Sequence, residues 1–319
     1  MPVFKIQHIT RYEYDRPVIE SANQIKIYPY ARPDQETINH QLQISHSPSV
    51  HTYDDYWGNT TGLFMVSGQH QMLEIDSRLL VRTKMPAINP MSASKPTEWD
   101  QIKATASKEI ALLDLAKPAN LRSGNEIQAI VKELRPLWDA PALFIQRCSE
   151  YIYQHFQYKK GITNVESTVD EILMHKQGVC QDFAHVMLQM LRSIGMPVRY
   201  VSGYICPNRD GVRGAGATHA WVEVFLPSAG GWVGIDPTNN TWVSDQHVSL
   251  AVGRHFNDCS PVKGTFKGPA NQSLYVYVSV GFEDGTSFED RTRVQMNVEE
   301  PLAPKQDFEK SQQQQQQQQ

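Results

Sequence analysis

The first 85 residues of the chain alternate between hydrophobic and polar positions with a period near two. The pattern is clearest over Ile6–Tyr14, where β-branched and aromatic residues recur before Pro17. This period is typical of strands that bury one face. Further strands are predicted at Gln24–Tyr28, Ile38–Ser45, Gly62–Val66 and Met72–Arg82. Residues 1–90 are therefore predicted to form an N-terminal β-sandwich or barrel-like domain.

The period becomes helical after residues 86–98, which are rich in proline and small polar residues. Residues 91–140 are predicted to form a linker and helices. A longer helix is predicted over Pro141–Gln157, where apolar side chains recur every three or four positions. Thr168 and Glu171 have the spacing of a capping box, which indicates the start of another short helix.

A further helix is predicted to begin near Cys180, because Phe183, Met187 and Leu191 continue one apolar stripe. Strands are expected after it, at Val198–Ile205, Thr218–Leu226, Trp232–Asp236, Leu274–Val280 and Arg291–Val298. Residues 141–298 are thus predicted to form a second domain with its own C-terminal strands. Residues 299–319 end in a run of glutamines and are predicted to be a disordered tail.

The composition argues against several classes of function. Lys and Arg number 30 against 34 Asp and Glu, a net charge of −4, which gives no bulk attraction to nucleic acid or to an anionic membrane. No apolar run is long enough to span a bilayer, and the first residues lack the pattern of a signal peptide, so a cytoplasmic location is expected. The four cysteines include no C-x-x-C pair, and no nucleotide or calcium motif occurs. We therefore expect no cofactor and no metal.

Three segments carry candidate chemistry: Cys180 at a helix start, His219 on a strand, and Asp236 at the end of the next strand. A helix dipole contributes only ~0.3–1 kcal/mol at exposed sites, too little to ionise most of a thiol that titrates near pH 8.5. A neighbouring histidine can supply the rest, and it needs a carboxylate or amide to orient its ring. By residue type and order, His219 and Asp236 suit these two roles.

Four runs resemble the core blocks of the transglutaminase-like superfamily, which shares its core with papain-like cysteine peptidases. They are Gly178–Ala184, Pro197–Tyr204, Thr218–Glu223 and Trp232–Asn239. His8–Tyr14, Pro17-Val18 and Trp57-Gly58-Asn59 also resemble the β region that precedes this core in bacterial members. The resemblance implies an α+β fold in which the helix bearing the cysteine packs on an antiparallel sheet, preceded by an all-β domain. It also implies Cys180 as nucleophile, His219 as base and Asp236 as orienting residue.

The reaction implied is thiol-dependent acyl transfer on a peptide or other amide through a thioester, with hydrolysis by a cysteine peptidase or amidase as the first expectation. Transfer to an amine acceptor, as in a transglutaminase, uses the same residues and stays open. A third interpretation is a non-catalytic scaffold, with a protein partner bound through the N-terminal β domain.

Some neighbouring residues are open to more than one interpretation. In such a reaction, hydrogen-bond donors stabilise the negative oxygen of the tetrahedral intermediate. The backbone N–H of Cys180 is expected to be the first donor, and Gln154, Tyr158 and Gln181 are candidates for the second. Asp182 is expected to be a first-turn carboxylate favoured by the helix dipole. His185 lies five residues after Cys180, roughly 140° away around a helix, and is expected to be structural.

Overall fold

The computed structural model describes residues 1–135, 139–162, 167–206, 212–214, 218–283 and 294–296, the last range for its backbone alone. The predicted tail, residues 299–319, lies outside the described residues. The N-terminal part comprises the strands β1 (Val3–Ile25), β2 (Gln35–Ile44), β3 (His51–Asp54) and β4 (Thr60–Thr83). Four helices follow, namely α1 (Pro90–Ala93), α2 (Glu98–Ala106), α3 (Ile110–Ala116) and α4 (Gly124–Leu134).

The remaining elements are four α-helices and ten described strands. They are, in chain order, α5 (Pro141–His155), β5 (Gln157–Tyr158), α6 (Val169–His175), β6 (Gln177–Gly178), α7 (Cys180–Arg192), β7 (Val198–Ile205), β8 (Thr218–Leu226), β9 (Gly231–Asp236), β10 (Thr241–Trp242), β11 (His247–Gly253), α8 (Phe256–Cys259), β12 (Val262–Lys267), β13 (Gln272–Phe282) and β14 (Val294–Met296). The predicted α+β class is confirmed, with a β region first and a mixed core after it. The capping box of Thr168 and Glu171 is present at the start of α6.

The strands β1 and β4 are much longer than the separate runs predicted from the sequence. Each continues through a break in the alternation, and their pairing shifts register between Glu13 and Glu20. Pro17 lies in this interval and has no N–H for the ladder, while Gly68 on β4 has a φ of 95°. The irregularity is therefore a bulge that bends two long strands rather than a turn that ends them.

The C-terminal strands do not join the sheet of the second half, where the predicted domain division groups them. Instead β13 pairs with the first half of β1, from Phe4 opposite Phe282 to Tyr14 opposite Gln272. The second half of β1 pairs with β12. Because β4 covers only one edge of β1, these strands complete the other edge and give a sheet of seven described strands.

A second sheet lies under the helices and has the strand order β10-β9-β8-β7-β11, antiparallel throughout. Helix α7 packs on one face of it with the apolar stripe that the sequence indicates. These side chains are all buried: Phe183, Ala184, Met187, Leu188 and Leu191. The helix that carries Cys180 is thus held against an antiparallel sheet, as expected from the family resemblance.

The two sheets are joined by apolar and polar contacts. Phe4 and Ile6 of β1 belong to one buried cluster with Tyr204 of β7 and Val248 of β11. The hydroxyl of Tyr204 lies 2.8 Å from Nδ1 of His8, and both side chains are buried. The N-terminal sheet therefore supports strands of the second sheet directly.

A buried ion cluster fixes the same junction. Glu223 of β8 has no exposed surface, and its Oε1 accepts a 2.8 Å hydrogen bond from Arg32, which precedes β2. Its other oxygen accepts a 2.7 Å hydrogen bond from Arg199 of β7. Burial acts to raise the pKa of Glu223, but Arg199 and Arg32 outweigh it and hold this pKa below its usual value. Glu223 lies on the same strand as His219, so this cluster also anchors the strand that carries the histidine.

Side-chain amides from the N-terminal part cover the outer edge of β11. Asn59 accepts a 2.7 Å hydrogen bond from the backbone N–H of Val252 and donates a 2.8 Å bond to its carbonyl oxygen. Gln35 makes the same pair of bonds to Ser249, at 2.8 and 2.9 Å. Two amides thus satisfy backbone groups that an edge strand otherwise leaves unpaired.

Candidate active site

Cys180 is the first residue of α7, where backbone N–H groups have no carbonyl one turn earlier. Asp182 folds back over this helix start, and its Oδ2 accepts a 2.8 Å hydrogen bond from the N–H of Val179. Gly178 leaves room for this, because a Cβ there would lie 2.5 Å from that oxygen. Asp182 thus supports the helix start, while Cys180 itself keeps a small exposed fraction of 8%.

His219 of β8 and Asp236 at the end of β9 are in direct contact. Nε2 of His219 lies 2.8 Å from Oδ2 of Asp236, and both side chains are fully buried. The two strands are neighbours in the antiparallel sheet, so the contact is made across one strand spacing.

Cys180 lies next to the start of the strand that carries His219. Nδ1 of His219 is buried, and no described residue forms a hydrogen bond with it. The sulfur of Cys180 lies 4.0 Å from the carbonyl oxygen of Thr218, the residue just before the histidine. Interaction with Cys180 is also one of the causes that raise the pKa of His219. The structure therefore brings together the three residues that the sequence singles out.

The charges of this group favour a protonated histidine beside an ionised carboxylate. Burial disfavours the imidazolium, but the carboxylate of Asp236 and the sulfur of Cys180 outweigh it and raise the pKa of His219 to about 10. Burial also acts to raise the pKa of Asp236, yet His219 and the surrounding hydrogen bonds hold that pKa well below its usual range.

Asp236 is held by more groups than the sequence indicates. Its Oδ1 accepts a 2.9 Å hydrogen bond from the backbone N–H of Thr238, and its Oδ2 accepts a 2.7 Å bond from the amide of Asn239. His247, the first residue of β11, places Nε2 3.8 Å from the same Oδ2. The sequence blocks include Asn239 without giving it a role, and no sequence signal points to His247.

His247 is a second buried histidine with a different protonation state. Its Nδ1 accepts a 3.3 Å hydrogen bond from the backbone N–H of Ser244, which leaves the proton of a neutral ring on Nε2, toward Asp236. Burial lowers its pKa below the usual value, although Asp236 counteracts this in part. The carboxylate therefore faces one histidine that is readily charged and another that is kept neutral.

A short segment before β8 covers the imidazole of His219. The backbone N–H of Arg213 donates a 2.8 Å hydrogen bond to Oδ1 of Asn239, and the amide of Asn239 also lies 3.1 Å from the carbonyl oxygen of Arg213. Gly214 has a φ of 83°, and a Cβ at this position would be 2.6 Å from Nδ1 of His219. Only glycine fits both this backbone conformation and this approach.

His185 and the candidate oxyanion donors Gln154 and Tyr158 lie in different parts of the structure. His185 is directed toward α8, where its Nε2 accepts a 3.2 Å hydrogen bond from the N–H of Phe256, and burial lowers its pKa to about 4. Gln154 donates to Glu150 on an exposed face of α5. Tyr158 pairs with Gly178 in the short sheet of β5 and β6, just before the start of α7. No group of three His, Cys, Asp or Glu in the described ranges is arranged to hold a metal ion.

Two family models match the chain in the order that the structure shows. The bacterial transglutaminase-like N-terminal region matches residues 4–82, and the transglutaminase-like superfamily core matches residues 128–237. An uncharacterized protein of Mycobacterium leprae is 31% identical over 283 residues, which cover 86% of this chain and 97% of that protein. The chain belongs to the transglutaminase-like superfamily. The core match ends one residue after Asp236 and so includes Cys180 and His219.

Other relatives share parts of the chain or its fold. A protein-glutamine gamma-glutamyltransferase of Pseudomonas aeruginosa is 30% identical over 212 residues, or 62% of this chain and 29% of that protein. The crystal structure of a candidate cysteine protease from Cytophaga hutchinsonii superposes with a TM-score of 0.68 at 15% identity, covering 92% of this chain and 96% of that one. The second comparison shows that the whole fold, including the N-terminal sheet, recurs in another protein. No helix of the described ranges has the length and apolarity needed to cross a membrane.

Proposed function

We propose that this protein is a thiol-dependent acyl-transfer enzyme that cleaves amide bonds, with Cys180 as nucleophile, His219 as acid and base, and Asp236 as the residue that orients the imidazole. One observation carries the proposal: His219 is hydrogen-bonded to Asp236 through Nε2 at 2.8 Å, while its buried Nδ1 has no hydrogen-bond partner among the described residues. This is the geometry that a proton shuttle between a thiol and a substrate requires.

The first half of the reaction forms a thioester. A proton shared between the sulfur and Nδ1 gives a thiolate beside an imidazolium, which Asp236 stabilises. The thiolate of Cys180 attacks the carbonyl carbon of the amide, and the carbonyl oxygen takes up the negative charge. The imidazolium of His219 then gives its proton to the leaving amine, the C–N bond breaks, and an acyl group remains on the sulfur.

The oxyanion needs donors beside the sulfur. The backbone N–H of Cys180 is the first, because it belongs to the free first turn of α7. Tyr158 is our choice for the second, ahead of Gln154 and Gln181. Burial and the nearby charge of Cys180 raise the pKa of Tyr158 well above its usual value, so its hydroxyl keeps the proton that a donor needs.

The second half of the reaction decides the class of enzyme. Water at ~55 M needs no binding site of its own, whereas an amine must be bound and positioned to compete with it. A lysine amine with a pKa of about 10.4 must also lose a proton before it can attack. Hydrolysis, as in a cysteine peptidase or amidase, is therefore the proposed outcome. Transfer to an amine is the second candidate, and the similarity to the Pseudomonas aeruginosa gamma-glutamyltransferase favours it.

Alkylation with iodoacetamide tests the proposal at the level of the nucleophile. The chain supplies internal controls, because Cys148, Cys206 and Cys259 are fully or almost fully buried and burial raises the pKa of each. We expect mapped modification at Cys180 near neutral pH and none at the other three. A protein in which Cys180 does not react ahead of them would contradict the proposal.

A substrate assay separates the candidate reactions. Turnover of an amide that the wild type cleaves should be lost in Cys180→Ser and Cys180→Ala. Added hydroxylamine divides the thioester between hydroxamate and free acid, so a constant yield of free acid at rising hydroxylamine indicates hydrolysis alone. If the protein is a scaffold instead, Cys180→Ala changes no cellular or binding readout.

A further inference from the structure

Arg213 is a charged side chain that no described residue neutralises. Its guanidinium lies 4.1 Å from the centre of the Tyr153 ring of α5, and its buried Nη1 has no hydrogen-bond partner in the part of the chain that the structure describes. Within the described ranges no carboxylate forms an ion pair with it. By contrast, Arg32 and Arg199 both pair with the buried carboxylate of Glu223. The stacked ring holds Arg213 in place but satisfies none of its N–H donors.

The backbone of Arg213 is fixed relative to the three candidate catalytic residues. It is hydrogen-bonded to Asn239 through both its N–H and its carbonyl oxygen, and Asn239 also donates to Asp236. The next residue, Gly214, packs its backbone against His219. The guanidinium is therefore carried by the same segment that covers the imidazole.

The ring that holds Arg213 also leads to the start of α7. Tyr153 lies on α5, which runs into β5 and Tyr158, and Tyr158 pairs with Gly178, two residues before Cys180. In keeping with this placement, the nearby Cys180 raises the pKa of Tyr158 and Arg213 acts to lower it, although burial is the largest cause of the raised value. Arg213 keeps part of its surface exposed, so a bound group can reach its outer N–H donors.

We propose that Arg213 binds a carboxylate of the substrate, so that the enzyme acts on amides that carry a free acid group close to the scissile bond. The planar guanidinium presents parallel N–H donors that match the two oxygens of a carboxylate. The chain as a whole is slightly acidic, at −4, so this preference arises from the site and not from net charge. This inference rests on the proposed function, because it assumes that Cys180 is the reacting group.

Two alkylating agents of nearly equal size test the inference. Iodoacetate carries a carboxylate, whereas iodoacetamide is neutral, and each forms one S–C bond to Cys180 through its CH2 carbon with loss of iodide. The rate of Cys180 modification is measured with each agent by mapped mass spectrometry. The iodoacetate rate is divided by the iodoacetamide rate, and this quotient is divided by the same quotient for a small free thiol to give a corrected ratio. We expect Arg213→Gln to lower the corrected ratio by roughly 10- to 100-fold, the loss of a charge-assisted hydrogen bond. The iodoacetamide rate of the same protein is the reference in this ratio, so any general effect of the substitution on the reactivity of the thiol cancels.

Matched variants separate the site from general charge. Lys160→Gln removes one positive charge from an exposed position two residues after Tyr158 in the chain and should leave the ratio unchanged. Arg213→Lys keeps the charge and should retain part of the preference. The imidazolium of His219 attracts iodoacetate in all of these proteins, so only a difference between variants is attributed to Arg213.

A measurement on the wild type alone keeps the inference testable if a variant does not fold. Succinate should protect Cys180 from iodoacetamide in a saturable way, whereas succinamide at equal ionic strength should not. Equal corrected ratios in wild type and Arg213→Gln, or no protection by succinate, would overturn the carboxylate site while leaving the proposed function intact. Failure of Cys180 to react with iodoacetamide would instead remove the proposed function itself.

Discussion

Nε2 of His219 and Oδ2 of Asp236 are 2.8 Å apart, and neither side chain is exposed to solvent. A carboxylate at this distance fixes which ring nitrogen carries the proton and stabilises the imidazolium. The substitution Asp236→Asn keeps the shape but removes the charge. We expect kcat/KM for an amide substrate to fall by roughly 10³- to 10⁴-fold. Steady-state kinetics on the purified variant measure this loss.

A neighbouring carboxylate provides the control for that substitution. Asp245 lies on the loop before β11, and its side chain accepts a hydrogen bond from Gln246, not from a histidine. Asp245→Asn should keep kcat/KM within about twofold of wild type, since it removes the same charge without touching the imidazole. Equal kinetics for Asp236→Asn and wild type would show that the carboxylate does not orient His219.

The raised pKa of His219 predicts the alkaline limit of activity. The imidazolium is favoured in the folded protein up to a pKa of about 10, so the charged form dominates at neutral pH and is lost as pH rises through about 10. Because this pKa exceeds the usual value of about 6.5, the charged form adds stability that is complete below pH ~6.5 and disappears by the upper value. The alkaline limb of kcat/KM should therefore lie near pH 10.

Titration of the imidazole by NMR checks the cause of this shift. Cys180→Ala removes one of the interactions that raise the pKa of His219, so its midpoint should move to lower pH than in wild type. Asp236→Asn should lower the midpoint further, because burial then acts against the imidazolium with less compensation. An unchanged midpoint in Cys180→Ala would mean that sulfur and imidazole do not interact.

Gly214 offers a direct test of the contact that covers His219. A methyl group at this position would lie 2.6 Å from Nδ1, and the φ of 83° already disfavours any other residue. We expect Gly214→Ala to reduce iodoacetamide labelling of Cys180 by at least about tenfold, because the imidazole must shift from its place beside the sulfur.

A second glycine provides a control for the effect of backbone strain alone. Gly195 follows α7 with a φ of 78°, and a Cβ there would meet no atom within 4 Å. Gly195→Ala should lower the free energy of unfolding by ~1–2 kcal/mol, as the same backbone strain does in Gly214→Ala, while leaving the labelling rate of Cys180 unchanged. Equal losses of labelling in the two variants would attribute the effect to strain and not to the contact with His219.

The buried cluster around Glu223 predicts a large effect on folding. Glu223→Gln leaves two arginines without their shared carboxylate, and loss of a buried partner costs about 3–5 kcal/mol. Urea unfolding at pH 7 measures this change. Glu74→Gln, which removes a partly exposed pair with Arg11, should cost less than about 1 kcal/mol.

The difference in stability between wild type and Glu223→Gln should depend on pH. The pKa of Glu223 is lowered in the folded state, so its contribution is present above the usual carboxyl pKa of about 4.3 and is lost as pH falls through the folded value. The difference in stability between wild type and Glu223→Gln should therefore shrink as the pH is lowered from 7 toward 3. A constant difference over this range would contradict the assigned charge state.

The local parts of the site could be predicted from the sequence. Cys180 comes two residues after Gly178 and opens an apolar helical stripe, and His219 and Asp236 lie on short strands bounded by turn residues. Each of these signals is contained within about ten residues, which is the range over which periodicity and capping act. The order of the three blocks then suffices to indicate the family.

The parts that depend on distant residues could not be predicted. His247 contacts Asp236 from another strand. Gly214 must be glycine because a Cβ would clash with the imidazole of His219, and no local sequence pattern indicates this contact. The pairing of β12 and β13 with β1 joins positions more than 200 residues apart. Such pairings are decided by which strand edges remain open after the nearer strands have formed, and this is a property of the assembled sheet.

The amides of Asn59 and Gln35 have a consequence for any attempt to work with half of the protein. They occupy backbone donors and acceptors along β11 that another strand could otherwise use. A truncated chain that begins after β4 would uncover this strand and offer it to a second copy of itself. Excising the papain-like half should therefore yield aggregates rather than a soluble core, and engineering of this scaffold has to retain its N-terminal sheet.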